Sequence, residues 1–148
     1  KLVSALTVEE RPVVALYSRL PMAPEFDPST GAPSPGWVVD QQLRELFELR
    51  RLEPDFSAVD ADVDLLMLVH PAGLSDDSLY AIDQFALRGG RVLAFVDPDA
   101  ENATPDDPLG GNVAGARASD LGPLLAAWGV DFDASTVVAD PGSALSVQ

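Results

Sequence analysis

The chain has 148 residues, and 24 Asp and Glu against nine Lys and Arg give it a formal net charge of -15 at pH 7. A surface this acidic repels phosphate backbones and anionic membranes, which argues against nucleic-acid binding. The absence of cysteine excludes disulfides, thiolate metal sites and cysteine nucleophiles, while apolar residues, at 47% of the chain, suffice for a folded core.

The first third of the chain predicts a strand, a long loop and a helix. Residues 12–17 are apolar and rich in β-branched side chains, which predicts the first strand. Residues 18–36 contain five prolines, which predicts a loop without regular structure. Residues 37–50 have the spacing of an amphipathic helix. Its predicted buried stripe is Val39, Leu43, Leu46 and Phe47, and its predicted solvent face is Asp40, Arg44, Glu45 and Glu48.

Two further strands are predicted at residues 52–56 and 63–69, with only about seven residues between them. A parallel crossover takes about a dozen residues or more. Either the link is a compact helical turn, or the second strand is an edge piece.

The second half of the chain alternates helices with strands. Residues 75–88 predict a helix that Ser75 caps and that ends at Gly89 in the left-handed conformation. Residues 91–96 form an apolar run, which predicts a strand covered on both faces. A polar loop over 97–118 follows, then a helix capped by Ser119 or Asp120 and a fifth strand at 136–139.

Strands that alternate with helices indicate a parallel sheet with right-handed crossovers. We predict a single three-layer α/β domain over residues 1–148, with five mostly parallel strands in the flavodoxin-like order 2-1-3-4-5. No apolar run approaches the roughly 20 residues of a membrane span. We expect the chain to be a fragment of a larger protein.

Ligands of open α/β sheets bind at the carboxyl ends of the strands. Ser18, His70 and Asp97 fall there, beside the two long loops. These residue types fit a hydrolase, as nucleophile, base and orienting group. Against this, the chain has no G-x-S-x-G pentapeptide. The structural alternative for His70 is a strand-terminal residue that bonds to nearby backbone.

An acidic cluster follows the strand at 91–96. Asp97, Asp99 and Glu101 match the first three ligand positions of a calcium loop. Asn102 and Pro108 then occupy the positions that require glycine and a bidentate glutamate, so the fingerprint is absent. The alternative is a solvated acidic loop, and we predict no cofactor.

Four segments in order resemble the GldG-like family of ABC-transporter auxiliary proteins. The most specific features are an aspartate before an apolar strand, the pair His70-Pro71, the run over 82–98 and a helix ending in AWGV. The segments are LYSRLPM, WVVDQQLRELFELRRLEPDF, VDLLMLVHPAGLSDDSLYAIDQFALRGGRVLAFVDP and SDLGPLLAAWGVDFDASTVVADP.

The resemblance implies an extracytoplasmic, periplasmic domain with a glutamine-amidotransferase-like fold. It would belong to a membrane-anchored subunit that works with an ABC permease and ATPase or with another extracytoplasmic protein, anchored by segments outside this chain. The family is connected with gliding motility and, loosely, with intraflagellar transport. Because cysteine is absent and Asp97-Pro98 follows the comparable strand, amidotransferase chemistry is not implied.

We therefore expect a non-enzymatic binding or scaffold domain. The alternatives are the hydrolase and a sensor that binds a small molecule at the sheet crevice. We expect the proline-rich loop to act as a lid. The predicted binding residues are Arg19, Met22, His70, Asp97 and Asp99.

Overall fold

The computed structural model describes residues 11–27, 31–103, 118–119, 121–133, 136 and 142, and the structural statements below concern these residues. They form a mixed α/β structure. Its elements are β1 (Val13–Ser18), β2 (Glu25–Asp27), β3 (Ala32–Ser34), α1 (Val38–Leu46), β4 (Glu48–Arg51), β5 (Leu65–Val69), α2 (Asp76–Leu87), β6 (Arg91–Phe95) and α3 (Pro123–Ala127).

The main sheet has four parallel strands in the order β4-β1-β5-β6. This is the order predicted for the first four strands, and the predicted α/β class with a flavodoxin-like sheet is confirmed. The predicted fifth strand at 136–139 lies outside the described residues, apart from Thr136, which belongs to no strand. The parallel order brings the carboxyl ends of β1, β5 and β6 to one edge.

The second strand lies earlier than predicted. It is β4 at Glu48–Arg51, not residues 52–56, because α1 ends at Leu46 and Phe47 already has extended backbone (φ -128°, ψ 158°). Residues 52–64 are then available as the link to β5, which is long enough for a parallel crossover. Of the two alternatives, the edge strand is correct for the described sheet.

The proline-rich segment is more regular than predicted. It contains the antiparallel pair β2 and β3, in which Pro33 lies opposite Phe26. A two-stranded ribbon has only edge strands, where proline is tolerated. After β3 the chain packs back on residues 22–24: a Cβ on Gly36 (φ +71°) would lie 2.6 Å from the Pro24 nitrogen. Only glycine fits this approach.

The helix-to-strand passage through α2 and β6 agrees with the sequence. Ser75 caps α2, since its hydroxyl accepts a hydrogen bond from the Ser78 N–H (3.2 Å). Gly89 has φ +91° and ends the helix as predicted. At Gly90 a Cβ would collide with the Phe85 ring. The glycine pair therefore both ends the helix and admits a core aromatic side chain.

One face of the sheet carries the main hydrophobic core. Side chains of β1 and β5 on this face pack against α2, the segment around α3 and the β4–β5 link. The buried members are Ala15, Tyr17, Val59, Val63, Leu66, Leu68, Ile82, Phe85, Leu121 and Leu124. Val14 and Leu16 alternate with these residues and are buried on the opposite face. Both faces of β1 are therefore covered.

Strand β6 is not covered on both faces, contrary to the prediction. Leu93 and Phe95 are 40% and 52% exposed, opposite half-buried Met67 and Val69 of β5. Helix α1 packs at the β4 side of the sheet. Among the described residues, no element therefore covers this face of β6.

Helix α1 is oriented differently from its hydrophobic pattern. Asp40, predicted to face solvent, is 1% exposed, whereas Val39 and Leu46 are 45% and 64% exposed. The Asp40 carboxylate forms ion pairs with Arg44 (2.8 Å) on the same helix and with Arg51 on β4. This ion pair to β4 turns the polar side of α1 toward the sheet.

Helix α3 begins later than predicted, at Pro123 after Gly122. Ser119 does not cap it, and instead pairs with the residue after β6. The Ser119 N–H donates to the Asp97 carbonyl (2.8 Å), and the Ser119 hydroxyl accepts from the Asp97 N–H (3.0 Å). No helix in the described part of the chain is long and apolar enough to cross a membrane.

Candidate functional site

The carboxyl ends of three strands meet at one edge of the sheet. Ser18 at the end of β1 pairs with Val69 of β5, which pairs with Phe95 of β6. The His70 N–H extends this pairing by donating to the Phe95 carbonyl (2.9 Å). The chain leaves β1 toward β4 and leaves β5 toward β6, so this is the switch point at which α/β sheets bind ligands.

His70 has an unusual conformation and environment at this edge. It is the one non-glycine residue with positive φ (51°) among the described residues, and it is only 3% exposed. Its Nδ1 atom is buried and has no hydrogen-bond partner in the part of the chain that the structure describes. Strained backbone and unpaired buried polar atoms are both concentrated at functional positions. His70 is therefore the residue of this edge that most indicates a site.

The buried environment of His70 favours the neutral form of its imidazole. Burial is the main cause that lowers the pKa of His70. Asp97 acts in the opposite direction and raises it, while Arg19 lowers it further. In the neutral ring one nitrogen is a donor and the other an acceptor. A ligand could therefore form a hydrogen bond with the His70 Nδ1 without forming an ion pair.

We expect acid to destabilise the fold through His70. Because the folded-state pKa lies below the unfolded value of about 6.5, the unfolded chain binds more protons, so stability should fall as pH drops below about 6.5. Urea unfolding at pH 7.5 and 5.5 should show this loss, and His70→Gln should reduce it. As this is the only histidine, its NMR titration is unambiguous. A midpoint at or above 6.5 would contradict the expectation.

Ser18 is engaged within its own turn. Its hydroxyl accepts a hydrogen bond from the Leu20 N–H (3.1 Å) and lies 3.3 Å from both the Leu20 carbonyl and the Met22 Sδ, its potential acceptors. Met22 is buried, and its carbonyl accepts from the Trp37 N–H (2.9 Å). Ser18 and Met22 therefore anchor the proline-rich loop at the sheet edge.

Asp97 belongs to a turn that follows β6. Its Oδ1 accepts a hydrogen bond from the Asp99 N–H (2.9 Å), as in an Asx turn, and its backbone is held by Ser119. Asp97, Asp99 and Glu101 are all exposed. Within the described ranges, no group of three or more acidic or histidine side chains is placed to hold a metal ion.

Two cavities flank the switch point. One of about 240 Å³ lies between the ends of β1 and β4 and has Arg19, Arg51 and Glu53 in its lining. The other, about 310 Å³, lies beside the turn after β5, with Leu74 and Leu121 in its lining. The Tyr17 hydroxyl donates to the Ala72 carbonyl (2.5 Å) and so links β1 to that turn. Burial also raises the pKa of Tyr17.

Sequence reasoning missed Arg51 and Glu53 as residues of this edge. The error follows from the predicted position of the second strand. A strand at 52–56 would have placed Arg51 before its start and Glu53 inside it. The basic residues Arg50 and Arg51 could have been read as part of a short edge strand. The helical periodicity, however, continues through these positions. Only pairing with β1 determines where α1 stops.

A larger cavity, about 970 Å³, opens at the opposite edge of the sheet. Its charged lining includes Arg50, which forms ion pairs with Glu48 (2.7 Å), Asp60 (3.4 Å) and Asp62 (2.8 Å). The hydrogen bond from Arg50 holds the pKa of Asp62 below its usual value. These groups satisfy one another and lie away from the carboxyl ends, so we assign this cavity no ligand.

A parallel α/β sheet with polar residues and small cavities at its carboxyl edge defines a domain of the kind that binds partners or ligands there. Residues 11–148 match the model of the family described as an ABC-type uncharacterized transport system, and the chain belongs to this family. The expected relation to ABC transport is thereby confirmed at the family level. No curated protein and no solved structure matches the chain.

Proposed function

We propose that the chain is a non-enzymatic binding domain of an auxiliary subunit of an ABC-type transport system. It would stand on the extracytoplasmic face of the cytoplasmic membrane, as in GldG-like proteins linked to gliding motility, and would work with the ABC permease and ATPase or with another extracytoplasmic protein. Family membership supports the role in transport. The observation that carries a binding role is the buried, unpartnered Nδ1 of His70 at the switch point.

The arrangement of Ser18 favours binding over hydrolysis. A serine nucleophile needs a base within hydrogen-bond reach. The Ser18 hydroxyl instead forms hydrogen bonds within residues 18–22, and the His70 Nδ1 has no hydrogen-bond partner among the residues that the structure describes. Around His70, the groups that a partner would meet are the Asp97–Asp99 turn and Arg19.

Copurification with a tagged permease tests the proposed surface. The full-length protein, including its anchors, should be captured from detergent-solubilised membranes together with the permease. Asp97→Ala removes an exposed carboxylate at the proposed surface, and we expect it to reduce capture at least about fivefold, since charged groups at interfaces contribute to affinity. Asp62→Ala, which removes an exposed carboxylate at the opposite edge of the sheet, is the control.

The results of these experiments test the partner surface, the role in transport and the location separately. Equal capture of both variants would remove the carboxyl edge as the partner surface. Failure of the wild-type protein to capture any transporter subunit would remove the role in transport. Protease accessibility in intact spheroplasts tests the location, because a domain on the proposed side is digested without lysis.

The hydrolase and sensor alternatives have their own assays. We expect no hydrolysis of p-nitrophenyl acetate above the buffer rate. Activity that Ser18→Ala abolishes would instead establish a hydrolase. A thermal shift with one compound of a metabolite set, lost in His70→Gln, would establish a small-molecule sensor.

A further inference from the structure

Helix α2 has an exposed apolar stripe on the side opposite the core. Its inner face buries Ala81, Ile82 and Phe85, whereas Tyr80 and Leu87 are 63% and 72% exposed. These two exposed residues are seven positions apart and lie on one side of the helix, about two turns or 10 Å from end to end. Isolated exposed apolar residues are common, but an aligned stripe is a candidate contact surface.

Trp128 lies beside the middle of this stripe. Its Nε1–H donates to the Asp83 Oδ1 (2.9 Å), and Asp83 lies between Tyr80 and Leu87 on α2. The hydrogen bond fixes the indole while 36% of the residue stays exposed. We name Tyr80, Asp83, Leu87 and Trp128 the α2–Trp128 patch. A tryptophan fixed before binding loses little conformational entropy, and tryptophan is frequent among residues that dominate binding energy.

The charges around the patch are mostly negative. Asp76 and Asp77 are exposed at the first turn of α2, and Asp131 is exposed shortly after Trp128. The nearest cation along α2 is Arg88, whose guanidinium turns away and donates to the carbonyls of Val59 and Asp60. A partner for this surface therefore needs apolar side chains flanked by positive charge.

The net negative charge of the chain argues against a membrane or a second copy of the chain as the partner of this patch. An anionic bilayer would be repelled by a chain with a net charge of -15, and two copies would repel each other. The patch is a ridge on a helix of 12 residues, which suits packing against another helix. Among the classes of partner, a basic amphipathic helix fits best.

We propose that the α2–Trp128 patch binds an amphipathic helix of a partner protein that has an apolar stripe flanked by Lys or Arg. The apolar stripe packs on Tyr80, Leu87 and the Trp128 indole. The basic residues pair with Asp76 and Asp77 near the start of α2. This surface is separate from the carboxyl edge, and the proposal does not depend on the function assigned to that edge.

A designed helical peptide provides the probe. A leucine/lysine peptide of about five turns should bind and shift the emission of Trp128 to shorter wavelength in a Trp37→Phe background, where Trp128 is the only tryptophan. A leucine/glutamate peptide with the same apolar stripe should bind at least about tenfold more weakly. If Trp37→Phe does not fold, 5-fluorotryptophan labelling gives separate NMR signals for the two tryptophans without substitution.

Two leucine variants test whether the patch is the binding surface. Leu87→Lys should weaken binding of the leucine/lysine peptide at least about tenfold, since it places a charge in the apolar stripe. Leu46→Lys makes the same change at a similarly exposed leucine in the last turn of α1, and should stay within about twofold of wild type. Equal weakening by both variants would mean nonspecific attraction and would overturn the proposal.

Three other results would also overturn the proposal that the α2–Trp128 patch binds a basic helix. Equal binding of the two peptides would show that positive charge does not select the partner. Binding of phosphatidylglycerol vesicles that shifts Trp128 emission would assign the patch to a membrane. A concentration-dependent dimer by sedimentation, broken by Leu87→Lys and not by Leu46→Lys, would assign it to a second copy.

Discussion

Replacing Phe85 with alanine should lower the free energy of unfolding by about 3–5 kcal/mol. Phe85 is 2% exposed in the core between α2 and the sheet. Gly90 passes so close to the ring that a Cβ there would collide with it, and the Arg88 guanidinium lies 5.0 Å from the ring centroid. Removing the ring leaves a cavity that neither neighbour can fill.

Urea unfolding of the purified chain measures this effect. Leu87→Ala, two positions further along the same helix and 72% exposed, should change stability by no more than about 0.5 kcal/mol. Because natural domains are marginally stable, Phe85→Ala could unfold the chain outright. Phe85→Leu then gives a graded loss of about 1–2 kcal/mol. Equal losses for Phe85→Ala and Leu87→Ala would contradict the core position of the ring.

Replacing Asp40 with alanine should cost about 2–3 kcal/mol, as expected for hydrogen bonds to charged groups. The carboxylate is buried and holds α1 to β4 through Arg51, with Arg44 as second partner. The two arginines are 50% and 31% exposed, so they regain water when the carboxylate is lost. The loss of stability should therefore be smaller than for an ion pair in which both partners are fully buried.

Two further variants test whether the buried ion pairs of Asp40 cause this loss of stability. Glu45→Ala, on the exposed side of α1 with a hydrogen bond from Gln41 (3.3 Å), should change stability by no more than about 0.5 kcal/mol. Asp40→Leu combined with Arg51→Met replaces the pair with apolar side chains and should recover most of the loss. If Asp40→Ala and Glu45→Ala behaved alike in urea unfolding, Asp40 would face solvent, as its place in the helix pattern predicts.

The burial of Asp40 could not be predicted from the local sequence pattern. Helix periodicity gives the relative positions of side chains on α1, but not which side meets the sheet. The apolar stripe predicted Val39 and Leu46 as buried, yet both are substantially exposed and Asp40 is buried. The orientation depends on Arg51, which pairing with β1 places opposite Leu16. Such a partner is distant in the fold and invisible to a local pattern.

The candidate site was predictable to a similar degree. Placing Ser18, His70 and Asp97 at one edge followed from strand ends alone and agrees with the register of β1, β5 and β6. The positive φ of His70, its unpartnered Nδ1 and the engagement of Ser18 with Leu20 did not follow, because each depends on contacts between segments. The same applies to Trp128, whose contact with Asp83 joins residues 45 positions apart.

The sequence by itself determined the parallel α/β architecture, the order of the first four strands and the cap and exit of α2. The helices and strands follow from hydrophobic periodicity, a capping serine and a left-handed glycine, all of which act over a few residues. The strand order follows from the doubly wound topology that alternating strands and helices favour. Tertiary structure alone decided where α1 ends, that Asp40 is buried, that Leu93 and Phe95 of β6 are exposed and that His70 Nδ1 lacks a hydrogen-bond partner among the described residues. These depend on pairing and packing between distant segments, whose energies a one-dimensional pattern does not contain.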